Sequence, residues 1–331
     1  MRFLLGFVRL VVGLLIVVTA LPAILAILGG LVPVLDLLNH LQLLLFFGTL
    51  VALILALIVR MPRSVAILAF LGFAASAWTF VPEWSSSLAP RPAPTGAPTV
   101  KLMTHNMFGL NYDMKRMAAA IAAENPDIVA LQEYFPEQQS LDAMLKPSYP
   151  YSVRCQGGKR ANIGLYSKIP FDKEMSDADC PDSPGSQRTA HILAGFTLSD
   201  GTHFSVLTTH MDWPFPIDRQ QEELSAIEDT VKQAQGPLLV VGDFNSTPWS
   251  YAMRGFEHET GLTRETRNLI TFPELFTVPG RLVRGGILHT WPILPLDQVF
   301  ERGVRVTELH RGEFTGSDHL PVILTFEVPK G

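Results

Sequence analysis

Polar residues with chemically useful side chains lie at the ends of predicted strands in this 331-residue chain. Side chains of these types can hold a cation, orient a water molecule or transfer a proton. Strand ends are also where the adjoining loops usually place functional groups. The positions are Asn106, Glu133, His210, Asp212, Asp243, Asn245, Asp297, Asp318 and His319.

Each of these positions taken singly also fits a structural role. A glutamate after an apolar strand, such as Glu133, is most often a solvated loop carboxylate, and a lone histidine such as His210 is more often structural than catalytic. The Asp-x-Asn pattern of Asp243 and Asn245 also fits an Asx-turn. Their joint occurrence in one chain, each at a strand end, favours a single functional site.

Alternating strand and helix signals after residue 99 must position these groups. Asp113 can cap a helix that Asn125 and Pro126 end, and Asp218 opens a second helix with one apolar face. Mixed strands and helices over about 230 residues indicate an α/β or α+β domain, and periodicity alone does not choose between them. The predicted strands cover residues 100–105, 128–131, 192–198, 203–208 and 237–241.

The joint pattern resembles the endonuclease/exonuclease/phosphatase superfamily over about residues 99–328. Its most specific parts are Gly-Asp-Phe-Asn at 242–245 and Ser-Asp-His at 317–319. The resemblance implies an α+β fold, an α/β/β/α four-layer sandwich of two packed mixed β-sheets with the active site where strand ends converge. It also implies metal-dependent hydrolysis of a phosphate ester by in-line attack of an activated water.

The resemblance assigns the metal site to Glu133, Asn106 and Asp318. These hard oxygen donors suit Mg²⁺, and Mn²⁺ could take its place. In superfamily members that cleave abasic DNA, an acidic residue commonly lies two positions after the asparagine. Phe108 occupies that place here, which argues against a DNA-repair role.

The resemblance also assigns the catalytic groups. Asp243 would orient and deprotonate the attacking water, and Asn245 would donate a hydrogen bond to a phosphoryl oxygen. His319, paired with Asp297, would stabilise the transition state, and His210 would donate to a phosphoryl or leaving oxygen. Removal of one group from such a site usually costs about 10² to 10³ in rate.

Three further positions are candidates for substrate binding. Arg188 falls where superfamily members often keep a basic residue, although a surface arginine is the simpler interpretation. Asn162 matches a strand block of the superfamily but also fits a structural strand. Trp291, like the Trp-Pro-Phe-Pro loop at 213–216, could line a substrate cleft or could simply pack against the domain.

Three apolar runs, at about residues 10–30, 41–59 and 65–81, are each long enough to cross a bilayer. They lack the polar stripe of soluble helices, so transmembrane helices are favoured over three buried core helices. We therefore predict three parts: a membrane anchor at 1–84, a stalk rich in Pro, Ser and Ala at 85–98, and a catalytic domain at 99–331.

Basic residues predict the orientation of the anchor. Arg2 and Arg9 precede the first run, and Arg60 and Arg63 fill the loop after the second. The positive-inside rule then places the N-terminus in the cytoplasm. Three spans put the catalytic domain on the opposite face of the inner (cell) membrane, in the periplasm or outside the cell. An oxidising compartment would permit a disulfide between Cys155 and Cys180, the only two cysteines; two free thiols are the alternative.

The net charge of the domain bears on its substrate. From residue 100 onward the chain has 21 Lys and Arg against 29 Asp and Glu, a net charge of about −8. Because nucleic-acid binding depends on basic surfaces, the acidic domain favours a lipid head group or small phosphate ester over DNA or RNA. A catalytically silent binding protein is the remaining alternative. The lipid bilayer is the expected partner of the anchor, and the sequence indicates no protein partner.

Overall fold

The computed structural model describes residues 2–156, 162–175, 180, 190–277 and 287–329. The chain forms two compact units. The first comprises Met1–Ala89 together with Ser246–Gly255, and we call it the anchor unit after the membrane anchor predicted from the sequence. The second comprises Pro90–Asn245 and Phe256–Gly331, and we call it the catalytic unit after the predicted catalytic domain. The anchor unit therefore includes ten residues from the middle of the C-terminal sequence.

The helices are α1 (Arg2–Ala26), α2 (Pro33–Asp36), α3 (Gln42–Ile58), α4 (Arg63–Ser87), α5 (Met114–Glu124), α6 (Ser140–Leu145), α7 (Ile217–Gln233) and α8 (Tyr251–Thr260). The strands are β1 (Thr99–Asn106), β2 (Ile128–Gln132), β3 (Tyr151–Cys155), β4 (Ile163–Ser167), β5 (Ala190–Thr197), β6 (His203–His210), β7 (Leu238–Asp243), β8 (Thr263–Arg264), β9 (Leu275–Thr277), β10 (Ile287–His289), β11 (Asp297–Arg302), β12 (Arg305–Arg311) and β13 (Val322–Glu327).

Three helical segments of the anchor unit are long and apolar enough to cross a membrane: Phe3–Gly30, Pro33–Ile58 and Arg63–Ser87. They are longer than the predicted runs, because helical structure continues through the flanking residues. Small side chains pack between the helices, since Ala20, Ala52 and Ala69 are almost fully buried. The expectation of three N-terminal helices that could span a membrane is thus confirmed.

The two ends of this helical bundle differ in chemistry. At one end, the Arg9 guanidinium donates to the backbone oxygens of Val59 and Arg60, both at 3.1 Å. The connection between the first two spans holds Asp36, Asn39 and Gln42 at the start of α3 instead. Because consecutive helices joined by short loops run antiparallel, this acidic and amide-rich connection lies at the end away from Arg9.

The catalytic unit contains two mixed β-sheets, as the superfamily resemblance implied. Six strands form the first sheet in the order β12-β13-β1-β2-β4-β3, and five form the second in the order β5-β6-β7-β11-β8. Each sheet has one parallel pair, β1 with β2 and β6 with β7, and its other pairs are antiparallel. The carboxyl ends of β1 and β2, and those of β6 and β7, therefore point the same way within each sheet.

Two apolar clusters hold the sheets and helices of the catalytic unit together in layers. The larger one contains inward-facing residues from both sheets, including Leu102, Ile128, Leu324, Ile192, Val206 and Val241. A second cluster joins the other face of the first sheet to α5 and α6 through Met103, Met117, Ile121, Val129 and Leu141. α5 begins and ends as the sequence predicts: Asp113 caps it by accepting from Arg116 N at 3.1 Å, and Asn125 adopts a left-handed conformation.

The Pro-rich segment begins in a helix and then contacts the catalytic unit. α4 continues to Ser87, so the first residues of the predicted stalk are helical. Residues after Ala89 belong to the catalytic unit. The guanidinium of Arg91 donates to Glu265, and Thr95 donates to the Glu327 carboxylate through both its N–H and its hydroxyl. Side-chain acceptors far along the chain, which composition does not reveal, hold this segment on the domain.

The two cysteines are bonded to each other. Cys155, at the end of β3, forms a disulfide with Cys180, and 25 positions separate them in sequence. Both are buried against the core between the sheets. The disulfide therefore links the end of β3, an edge strand of the first sheet, to a residue 25 positions later in the chain.

Candidate active site

The ends of the two central strands of the first sheet bring Asn106 and Glu133 together. Asn106 is the last residue of β1, and its Nδ2 donates to Asp243 Oδ2 at 2.9 Å. Glu133 directly follows β2 in a left-handed conformation (φ +54°), and its Oε2 accepts from Gly109 N at 2.8 Å. Asn106 also hydrogen-bonds to the Glu133 side chain. Burial alone would raise the pKa of Glu133, but His210 and the Gly109 N–H outweigh it and hold that pKa low.

The end of β7 supplies the central carboxylate. Asp243 is 1% exposed, and its Oδ1 accepts from Asn245 N at 2.8 Å. Asn245 adopts φ +48°, and its Nδ2 donates to Met211 O at 2.8 Å. Burial raises the pKa of Asp243 to about 7. A carboxylate with a pKa near neutrality suits a general base, because it can both accept and release a proton at working pH.

Gly242 permits this turn of the chain. Its φ of +143° is unfavourable for other residues, and a Cβ atom built there would lie 2.0 Å from the backbone oxygen of Thr209 on β6. The glycine therefore allows β6 and β7 to approach closely where they deliver His210 and Asp243.

His210, the last residue of β6, lies between two carboxylates. Its Nε2 is 3.7 Å from Asp243 Oδ2 and 3.8 Å from Glu133 Oε1. It is 3% exposed. The histidine is therefore within reach of a group bound between Glu133 and Asp243. Asp212, two residues later, instead accepts from the Arg219 guanidinium at 2.9 Å.

His319 forms a buried pair with Asp297. His319 Nδ1 lies 2.8 Å from Asp297 Oδ2, and the Thr271 hydroxyl donates to the same oxygen. On the other side of the ring, His319 Nε2 is 3.7 Å from Asp243 Oδ2. Burial alone would lower the pKa of His319, but the Asp297 and Asp243 carboxylates outweigh it and raise the pKa to about 10. His319 is thus an imidazolium at neutral pH, with Nε2 directed toward the centre of the site.

The loop before β13 completes the site. The Ser317 hydroxyl donates to Asn106 O at 2.7 Å and accepts from His319 N at 3.0 Å, which ties this loop to the end of β1. Burial raises the pKa of Asp318 to about 6; the His319 charge opposes this rise and the Glu133 carboxylate adds to it. Asp318 and Glu133 are therefore close enough for their negative charges to repel.

The donor set fits a divalent cation. Asp243, Asp297 and His319 have possible ligand atoms that all lie within 4.8 Å of one another, so this buried triad could hold a metal ion once His319 has lost its proton. Asp297 Oδ1 is also buried without a hydrogen-bond partner. Repulsion between Glu133 and Asp318 would be relieved by a cation between them. Carboxylate and amide oxygens are the ligands that Mg²⁺ prefers.

The structure brings together the eight predicted metal and catalytic residues: Asn106, Glu133, His210, Asp243, Asn245, Asp297, Asp318 and His319. The substrate-binding role of the three further candidates stays a prediction. Asn162 is buried, and its backbone oxygen accepts from Tyr134 N at 2.8 Å. Trp291 is 90% exposed. Arg188 lies outside the described residues.

Sequence reasoning missed three residues that support the site. Thr271 donates to Asp297, and Ser317 ties the loop that carries His319 to the end of β1. His105 is completely buried next to Asn106, with Nε2 2.7 Å from the Thr315 hydroxyl, and burial lowers its pKa to about 3. Ser317 lies inside the Ser-Asp-His motif and could have been singled out, whereas no local pattern marks Thr271.

Family comparison agrees with this arrangement. Residues 103–319 match the model of the Endonuclease/Exonuclease/phosphatase family. This chain belongs to that family. Among curated proteins, it is similar to a UPF0294 protein of Vibrio cholerae, with 29% identity over 141 residues. That match covers 41% of this chain and 44% of the relative, so the chain spans less than half of the relative's length.

Solved structures share the fold of the catalytic unit. Sphingomyelinase C from Streptomyces griseocarneus covers 69% of this chain and 99% of its own, with 19% identity and a TM-score of 0.50. TDP2 from D. rerio, solved with a single-strand DNA product, covers 69% of this chain and 99% of its own, with 15% identity and a TM-score of 0.53. Family members are hydrolases that act on phosphoester bonds.

Proposed function

We propose that this chain is a membrane-anchored, metal-dependent phosphoesterase that hydrolyses a phosphodiester or phosphomonoester. The observation that carries the proposal is the convergence of four strand ends on one buried site. The Asn106 amide and two histidines, His210 and His319, approach the carboxylates of Asp243 or Glu133 within hydrogen-bonding or ion-pair distance. A protein that only bound phosphate could use the His319 imidazolium, but it would gain nothing from a buried carboxylate with a raised pKa.

In this proposal, Glu133, Asn106 and Asp318 would hold the metal, with Mg²⁺ as the expected ion and Mn²⁺ as a substitute. The bound ion would neutralise charge on the scissile phosphate. Asp243 takes a proton from the attacking water, because its raised pKa keeps it a competent base near neutral pH. Its Oδ1 is fixed by the Asn245 N–H, which leaves Oδ2 to face the site.

The remaining groups would stabilise the charge that develops during attack. The His319 imidazolium presents Nε2 toward Asp243 while Nδ1 stays bonded to Asp297. It would donate to a phosphoryl oxygen, and Asn245 would donate from the neighbouring loop. His210, near both Asp243 and Glu133, would donate to a phosphoryl or leaving oxygen. Donors already fixed in place lose little energy to reorganisation during the reaction.

Exposed aromatic residues next to the site support a lipid head group as the substrate class. Phe272 packs on His319 with ring centroids 4.7 Å apart, and Trp213 meets Phe272 edge-on at 6.0 Å. Trp213 is 44% exposed and Phe215 is 68% exposed. Trp291 lies on the segment whose residue 293 donates from its backbone to Phe272 O. Amphipathic aromatic side chains favour the head-group level of a bilayer.

The acidic balance of the domain supports the same choice over nucleic acid. We further propose that the N-terminus and the Arg9 end of the helices face the cytoplasm, and that the catalytic unit lies in the periplasm or outside the cell. The basic residues at one end of the bundle support this orientation. The lipid bilayer is the proposed partner of the three helices.

A substrate panel tests the activity. The full chain in nanodiscs is assayed with bis-p-nitrophenyl phosphate, phospholipid vesicles and single-stranded DNA, each with Mg²⁺, Mn²⁺ or a chelator. We expect metal-dependent hydrolysis, with turnover of phospholipid above that of DNA. Faster cleavage of DNA would replace the lipid assignment with a nuclease, and no hydrolysis of any substrate would favour a silent binding protein.

A reporter fusion tests the orientation separately. Alkaline phosphatase fused after Pro98 is active only outside the cytoplasm, so we expect an active fusion. A fusion after Arg60, at the basic end, is the matched control and should be inactive. The opposite pattern would contradict the proposed orientation without affecting the proposed chemistry.

A further inference from the structure

The segment Ser246–Gly255 directly follows Asp243 and Asn245 in the chain, yet it belongs to the anchor unit. It contains the turn after the Gly-Asp-Phe-Asn motif and the first half of α8. Thr247 is only two residues from Asn245. Whatever fixes this segment within the anchor unit therefore also limits the positions open to the catalytic loop.

Asp36, in the connection between the first two spans, caps α8. Its Oδ1 accepts from Tyr251 N at 2.8 Å and its Oδ2 accepts from Ala252 N at 3.0 Å. The first N–H groups of a helix lack partners within the helix, and a carboxylate is a preferred acceptor for them. Here the cap comes from a residue more than two hundred positions earlier rather than from the residue before the helix.

A buried chain of hydrogen bonds fixes the Asp36 carboxylate. Asn39 Nδ2 donates to Asp36 Oδ1 at 2.8 Å, Gln42 Nε2 donates to Asn39 Oδ1 at 2.9 Å, and the Ser76 hydroxyl donates to Gln42 Oε1 at 2.8 Å. Each of these four side chains is at most 8% exposed. Polar groups are costly in apolar helices unless they are satisfied, and a fully satisfied network specifies one arrangement. The network links α3 and α4 to the start of α8.

Further contacts bind the same segment. His40 Nδ1 accepts from Thr247 N at 3.2 Å, and the Thr247 hydroxyl lies 3.1 Å from the same nitrogen. The Tyr251 hydroxyl donates to Ile27 O at 2.8 Å. Its ring covers Gly30, where a Cβ atom would lie 3.0 Å from the ring. Gly30 therefore leaves room for the Tyr251 ring, and a larger side chain at this position would crowd it.

We propose that Asp36 and His40 are positioning residues for the reaction: through Thr247 and Tyr251 they hold the catalytic loop at Asp243 and Asn245 in its working geometry. This inference rests on the proposed function, because the working geometry is that of the proposed phosphoesterase site. Small displacements of reacting groups greatly slow a reaction. Loss of the contacts made by Asp36, or of those made by His40, should therefore lower kcat by about 10- to 10²-fold. KM and the Mg²⁺ requirement should change little, since neither residue touches the substrate or the metal.

Activity measurements use the full chain in nanodiscs. The disruptive variants are Asp36→Ala and His40→Ala, and the conservative ones are Asp36→Asn and His40→Asn, which keep an acceptor at each place. Thr49→Val is the matched control, because the Thr49 hydroxyl is buried in α3 and donates to Leu45 O of its own helix. We expect kcat to fall in the disruptive variants, to recover at least in part in the conservative ones and to remain unchanged in Thr49→Val. Wild-type kcat in both Asp36→Ala and His40→Ala would overturn the proposal.

Two readouts do not depend on activity. Hydrogen exchange of residues 243–250 should be faster in Asp36→Ala than in wild type and unchanged in Thr49→Val. Cysteines introduced by His40→Cys and Thr247→Cys should be joined by a short bismaleimide, which forms a thioether with each thiol. The native cysteines do not compete, because they are already bonded to each other. Unchanged exchange or absent crosslinking would overturn the inference even if the enzyme were active. An inactive wild type with the expected exchange and crosslink would instead refute the proposed function alone.

Discussion

The pairing of His319 with Asp297 gives a quantitative prediction. If the carboxylate acts only by holding the imidazolium charged and oriented, Asp297→Asn should lower kcat by about 10² to 10³. His319→Gln should lower it by at least as much. The double variant should have the same kcat as His319→Gln alone. Asp297 acts only through the His319 ring, which His319→Gln has already removed.

The magnitude follows from the geometry. The two groups are 2.8 Å apart at Nδ1 and Oδ2, and both side chains are at most 4% exposed. Opposite charges about 4 Å apart interact by about 4 kcal/mol at an effective dielectric constant of about 20. About 1.4 kcal/mol corresponds to a tenfold change in rate, so loss of the whole interaction would lower kcat by about 10³. Asp243 Oδ2 lies 3.7 Å from His319 Nε2, so its negative charge still stabilises the imidazolium in Asp297→Asn. The loss of kcat in that variant should therefore be smaller than the full factor of about 10³.

The assay is steady-state hydrolysis of bis-p-nitrophenyl phosphate by the full chain at saturating Mg²⁺. A matched control is the surface pair of Asp172 and His203, whose atoms are 2.9 Å apart but whose side chains are 29% and 52% exposed. Exposed ion pairs contribute little, so Asp172→Asn should change kcat by less than about twofold. Additive losses in the His319 and Asp297 double variant would refute the reasoning, because they would mean that the two groups act independently.

Three further predictions concern stability and metal binding. Replacing Cys155 and Cys180 by serine opens a loop of 25 residues and should lower the free energy of unfolding by about 3 kcal/mol; urea titration measures this, and an unchanged midpoint would contradict it. Gly242→Ala places a Cβ 2.0 Å from a backbone oxygen of β6, so it should abolish folded protein in size-exclusion and thermal-melt assays, whereas Gly255→Ala, with no atom within 4 Å, should fold normally. Glu133→Gln should raise the Mg²⁺ concentration for half-maximal activity by about tenfold or more, and an unchanged Mg²⁺ titration would remove Glu133 from the metal site.

The catalytic fold was predictable from the sequence because its signals are local. Buried strands such as Ile128–Gln132 are short apolar runs, and α5 has a capping aspartate before it and a left-handed asparagine after it. The side chains that would do chemistry directly follow several of these runs. Motifs at strand ends therefore predicted the superfamily, and the side chains in them lie close together in the structure.

The supporting contacts were not predictable, because they join positions far apart in sequence. Thr271 reaches Asp297 across 26 residues, and Asp36 reaches Tyr251 across 215. No periodicity or motif records such a pairing. The contacts that hold the predicted stalk on the domain were missed for the same reason, since the acceptors for Thr95 lie at Glu327. Composition describes what a segment tends to do alone and does not reveal distant partners.

The central claim is that Asp243 activates water in a metal-dependent site. The most direct test is hydrolysis of bis-p-nitrophenyl phosphate by the full chain with Mg²⁺, after chelation and after Mg²⁺ is restored, compared with Asp243→Asn. We predict activity that disappears on chelation, returns with Mg²⁺ and falls by about 10³ or more in Asp243→Asn. Metal-independent hydrolysis, or an Asp243→Asn variant as active as wild type, would contradict the account.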